Sequence, residues 1–165
     1  MGESSSAVRS LLDIGFYLEH IAKKGDLLII DEPELNLHPE NQRCIARLLA
    51  KLVNYGIKVF ITTHSDYIVK ELNTLIMLNS DKPHIKNVAE KEGYQENELL
   101  NANQIRAYVA EENLVKIEGQ MKHTRCHTLI PANINQELGI EIKSFDTAID
   151  TMNRIQEEIV WGGEN

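Results

Sequence analysis

Apolar residues recur at Val8, Leu11, Leu12, Phe16, Leu18 and Ile21, with Gly15 on the same side, at helical spacing. The preceding Glu3–Ser6, ESSS, offers serine hydroxyls that accept from the free N–H groups of a first helical turn. Lys23–Asp26, KKGD, ends this helix, with Gly25 suited to the left-handed residue past its end. Leu27–Ile30 is an unbroken apolar run, the pattern of a strand buried on both faces. Glu40–Asn54 is amphipathic, with Ile45, Leu48, Leu49, Leu52 and Val53 on one side and Gly56 as its stop. Lys58–Thr62, KVFIT, predicts a second strand. His64–Asn73 predicts a short helix capped by Ser65 or Asp66, and Leu75–Leu78 a third strand.

Residues 1–78 therefore read helix, strand, helix, strand, helix, strand, which predicts an α/β fold: a parallel sheet with flanking helices. After Asn79 the texture changes, and a second region, 79–165, is expected. Residues 79–103 are polar and interrupted by Pro83 and Gly93, so they read as loop. Gln104–Ala110 and Leu114–Glu118 predict a β-hairpin turning at Glu111–Asn113, and 119–127 a polar connection. Ile140–Ile142 predicts a short strand. Phe145–Trp161 predicts a terminal helix with Phe145, Ile149, Met152, Ile155, Ile159 and Val160 on one face.

Composition narrows the chemistry. The 165 residues suffice for a real core, and the net charge of −8 disfavours a broad nucleic-acid-binding face. Cys44 and Cys126 form no CxxC pair and read as reduced thiols. No apolar run reaches the length of a membrane span, and the N-terminus lacks the pattern of a signal peptide. A cytoplasmic protein is expected.

Three segments carry candidate chemistry. In Leu27–Glu32 the strand delivers two carboxylates to the carboxyl edge of a parallel sheet, where ligands bind. Asp31 there can hold Mg²⁺ through its waters, and Glu32 can polarise a water for in-line attack on a γ-phosphate. A strand ending in two solvated acids gives the same letters, so the motif needs company. His64, in ITTHSDY, supplies it: it follows the second strand and should emerge at the same edge, placed to donate a hydrogen bond to a phosphate oxygen. The third segment is ESSSAVRSLL, where a helix N-terminus and Ser4, Ser5 and Ser6 form an anion-attracting end, or a plain cap. HTRCH at His123–His127 gathers only three potential metal ligands and reads as a polar loop.

Taken in order, these motifs resemble the ABC-type ATPase superfamily, and DEPELNLHPENQ with TTHSDYIV resembles its soluble branch. That branch includes the OLD (overcoming lysogenization defect) and chromosome-maintenance ATPases and AAA-labelled ATPases of phage-defence loci. The resemblance places Ser5–Arg9 at the signature, Leu27–Glu32 at Walker B, Pro33–His38 at the D-loop and His64 at the switch histidine. It implies a partial P-loop NTPase fold, ATP and Mg²⁺ as ligands, and a head-to-tail dimer with ATP between subunits. In that arrangement Ser4, Ser5 and Ser6 cap the partner's nucleotide and Asn36 couples the two sites. Hydrolysis would then drive an effector protein or engagement with DNA.

The pattern departs from the family in two places. None of the nine glycines is followed by lysine, so these 165 residues hold no Gly-x-x-x-x-Gly-Lys-[Ser/Thr] phosphate loop. The sequence begins at the signature and looks like the C-terminal half of such an ATPase. Ser6 and Ala7 also stand where the family has glycines, which restricts backbone approach to phosphate. The expectation is an ATPase portion inactive without a P-loop. The rival readings are a non-catalytic assembly module for a P-loop-bearing partner, or a truncated product with no function of its own.

Overall fold

The computed structural model describes residues 3–116, 123–141 and 151–159. It divides into two compact units, Met1–Gln104 with Gln136–Gly139, and Ile105–Asn135 with Ile140–Asn165.

The first unit begins with α1, Glu3–His20. Its last turn closes by bonds from Ile21 N and Ala22 N to the Tyr17 carbonyl, both 2.9 Å. Gly25 takes φ 96° five residues later, in the turn that starts β1, Leu27–Asp31. His38 caps α2, Pro39–Tyr55, with Pro39 in the first turn, where a missing N–H costs nothing. Gly56 ends α2 at φ 105°, a left-handed position where its N–H reaches the Leu52 and Val53 carbonyls. β2, Lys58–Thr62, then runs parallel to β1, with Leu27 opposite Lys58 and Asp31 opposite Thr62.

Helix α2 covers one face of this ribbon. Ile45, Ala46, Leu49 and Leu52 join Leu37, Ile57 and Ile68 in the core, against which Leu28, Ile30, Val59 and Ile61 pack. The other face is bare: Leu27 is 61%, Ile29 65% and Phe60 57% exposed. The expectation that the first strand is buried on both faces is therefore corrected. The apolar run satisfies both faces, but among the described residues only one is covered.

A second correction concerns Leu75–Leu78. It is the last turn of α3, Asp66–Leu78, not a strand. Ile68, Leu75 and Ile76 sit seven and eight apart and are fully buried, so the run extends a helical stripe. Among the described residues the parallel sheet accordingly has two strands.

Residues 79–104 are not loop throughout. Pro83 starts α4, Pro83–Lys91, and short 3₁₀ turns follow at Glu96–Glu98 and Ala102–Gln104. Charges tie this segment to α2. Buried Glu98 accepts from Arg47 at 2.7 Å and lies 3.2 Å from Lys51. Buried Glu71 of α3 accepts from Arg43 at 2.7 Å, and Arg43 also reaches the Tyr94 hydroxyl at 3.2 Å. These bonds, to Glu71 first and then to Tyr94, push the Arg43 guanidinium still further up. Gln136 closes the unit, donating to the Asn79 carbonyl at 3.1 Å and also to that of Ile76.

The second unit contains the expected hairpin with different bounds. β3, Tyr108–Lys116, pairs antiparallel with β4, His123–Pro131. Glu111–Asn113 is not a turn but lies inside β3, and HTRCH is not a loop but the start of β4. Alternation explains both: Glu112, Leu114, Arg125 and His127 point to an exposed face, while Val109, Val115, Cys126 and Ile130 are half-buried on the other. β5, Asn133–Asn135, and β6, Gly139–Glu141, form a short ladder at the expected position of the last strand. Residues 151–159 are helical, with Met152, Ile155 and Ile159 exposed. Phe145, Ile149, Val160 and Trp161 of the predicted terminal helix lie outside the described residues. Among the described residues no helix is long and apolar enough to cross a membrane.

Candidate functional site

Parallel pairing in register brings the ends of β1 and β2 together. Asp31 is the last residue of β1, directly opposite Thr62, whose hydroxyl donates to an Asp31 carboxylate oxygen. Glu32 extends the ladder by one rung, its N–H bonding the Thr62 carbonyl at 3.1 Å. Glu32 then breaks from the strand at φ 46°. That turn brings its Oε1 to 3.4 Å from His64 Nε2. The His64 ring is otherwise in solvent, with 89% of its side chain exposed. Asp31, Glu32 and His64 thus share one sheet edge, open to a ligand.

The loop after β1 is wound tightly. Leu35 N bonds the Glu32 carbonyl at 3.1 Å, Leu37 N bonds the Glu34 carbonyl at 3.0 Å, and Asn36 takes φ 60°. Asparagine is among the few side chains at ease there. The winding leaves Asn36 exposed and buries Leu37. The loop after β2 is anchored at Ser65, the N-cap of α3, whose hydroxyl accepts from Ile68 N at 3.2 Å and donates to Gln42.

Ser4, Ser5 and Ser6 lie in the first turn of α1 rather than ahead of it. The backbone N–H groups of that turn have no partner within the helix.

The donor set suits Mg²⁺ carried by a nucleotide. Mg²⁺ prefers hard oxygen ligands and is usually held by one or two carboxylates plus substrate phosphates and waters. Asp31 is an exposed carboxylate of that kind, and no group of three or more metal-ligating side chains occurs among the described residues.

Sequence reasoning missed Thr62, Thr63, Glu34 and Gln42, which brace this edge. The visible signal was the pair of threonines before His64 and a third acid two residues after Glu32.

Residues 2–69 match the model of a family described as AAA ATPase domain, a stretch of about two fifths of the chain. The match spans α1 through the start of α3 and so includes every residue of the candidate site. It marks this segment as similar to AAA-type ATPases, which bind nucleotide and usually employ Mg²⁺. Comparison with curated proteins and with solved structures returned no match.

Proposed function

We propose that residues 3–78 form the Walker B and switch-histidine portion of an ABC-type ATP site. The observation that carries this reading is the 3.4 Å approach of His64 Nε2 to Glu32 Oε1, beside Asp31, at the carboxyl edge of a parallel sheet. In this reading Asp31 orients the Mg²⁺ that accompanies ATP. Glu32 takes a proton from the attacking water, and His64 donates to the γ-phosphate. Ser4, Ser5 and Ser6, at the start of α1, face the nucleotide of an opposing subunit, and Asn36 lies on the path between the two sites. Bound Mg²⁺ would neutralise charge on the phosphates.

The phosphate loop is assigned to a separate segment. The bare face of Leu27, Ile29 and Phe60 supports this, because two-stranded parallel ribbons rarely stand alone and parallel strands are normally covered on both faces. The head-to-tail dimer and the coupling to an effector in a phage-defence or DNA-linked system rest on the family resemblance. The same bare face favours a second reading, in which the chain is a non-catalytic assembly module for a P-loop-bearing partner.

ATP turnover separates the two. With a P-loop-bearing half supplied, an ATPase portion restores phosphate release, and Glu32→Gln removes it. An assembly module would bind that half without a rate that depends on Glu32.

A further inference from the structure

Glu34 is a buried acid. Only 8% of the residue is exposed, and no basic side chain pairs with it among the described residues. Its Oε2 is buried with no hydrogen-bond partner among the described residues. A carboxylate in that setting is costly unless its remaining bonds are strong.

Those bonds both go to one place. Glu34 Oε1 accepts from the Thr63 hydroxyl at 2.7 Å and from the His64 backbone N–H at 2.7 Å. Thr63 Oγ1 in turn accepts from Ser65 N at 3.0 Å. The acid therefore grips the three residues that carry the His64 ring. The ring itself has little else to hold it among the described residues: its side chain is 89% exposed, with Glu32 Oε1 at 3.4 Å. Where the imidazole lies is set by where its backbone is held, and Glu34 holds it. The grip also joins the loop after β1 to the loop after β2.

We infer that Glu34 is a positioning residue, holding the His64 backbone so that the imidazole and the Glu32 carboxylate present a fixed pair to the γ-phosphate. This rests on the ATPase reading above. Two accepted bonds need an acceptor, not a charge as such, so a glutamine carbonyl can keep them in weakened form while alanine loses both.

The test uses the full chain carrying Glu34→Ala, Glu34→Gln, or Glu98→Ala as a control acid buried away from the site. Amide hydrogen exchange at His64 is read on the chain alone, and ATP turnover with the P-loop-bearing half supplied. Glu34→Ala is expected to speed His64 exchange by at least tenfold and to lower kcat by at least tenfold, with KM for ATP within twofold. Glu34→Gln is expected to recover most of both. Glu98→Ala should move neither the exchange rate at His64 nor kcat, whatever it does to Tm. If Glu34→Ala frees the amide but leaves kcat unchanged while Glu32→Gln abolishes turnover, Glu34 is structural and the inference is wrong. An unfolded Glu34→Ala leaves the decision to Glu34→Gln, whose weakened bonds should raise His64 exchange and lower kcat together by a smaller factor than tenfold with KM unchanged; faster exchange beside a parental kcat overturns the inference. If Glu32→Gln also leaves turnover untouched, the ATPase reading itself has failed, and the role of Glu34 falls with it.

Discussion

A glutamate at φ 46° carries a side chain where glycine would rest more easily, and Glu32 occupies that position between a strand and a tight loop. The left-handed region costs an ordinary residue roughly 1–2 kcal/mol. From this backbone turn the carboxylate lies 3.4 Å from His64 Nε2. Glu32→Gly is therefore expected to melt no lower than the parent while losing about 10²–10⁴-fold in restored turnover, the usual contribution of a general base. Thermal melts beside phosphate-release assays check both halves of that statement. Asn36 shares the left-handed region at φ 60°. Asn36→Val should lose about 1–2 kcal/mol of stability in a denaturant titration, since a β-branched side chain tolerates that region poorly.

At the scale of elements, β1, α2, β2 and the capped start of α3 were legible because each carries two agreeing signals. Leu27–Ile30 combines an apolar run with acids at its end. Residues 39–56 combine a helical stripe with Pro39 and Gly56 as punctuation. Leu75–Leu78 was misread because four apolar residues in a row suit a strand or a helix, and only their spacing from Ile68 decides. α4 buries no side chain fully, and its apolar positions Ile85, Val88 and Ala89 make too short a stripe to stand out from the polar run around them. Polar Glu111–Asn113 looked like a turn, but an exposed strand face tolerates such residues. The bracing of the site by Thr62, Thr63 and Glu34 was hidden because it depends on register between two strands. The segment tied down by Glu98 offers a pH test. Burial pushes the Glu98 carboxyl up, but bonds from Arg47, the Gln95 backbone and Lys51 together hold it below the usual range. The folded state thus takes up this proton less readily than the unfolded state. The stabilisation is present above about pH 4.3, the ordinary glutamate value, and fades as pH falls through the lower folded value. Glu98→Gln should be less stable than the parent at pH 7 and lose less further stability between pH 5 and pH 3, as read by denaturant midpoints.

For the whole molecule, the main fact is that among the described residues the β1–β2 sheet is covered on one side. Leu27, Ile29 and Phe60 would each contribute about 1.5–3 kcal/mol on full burial, enough together to seat a partner segment. Ile29→Glu and Phe60→Glu should leave the chain's own melting temperature within a few degrees and abolish co-purification with a P-loop-bearing half. A loss of folding in both variants would instead place these side chains in the chain's own core. The central claim is that Asp31, Glu32 and His64 are one part of a shared ATP site. It is tested most directly by steady-state phosphate release from Mg·ATP with the P-loop-bearing half alone, with this chain added, and with its Glu32→Gln variant added. The account predicts turnover only with the unaltered chain. Equal rates with the unaltered and Glu32→Gln chains, in a complex shown to form, would contradict it.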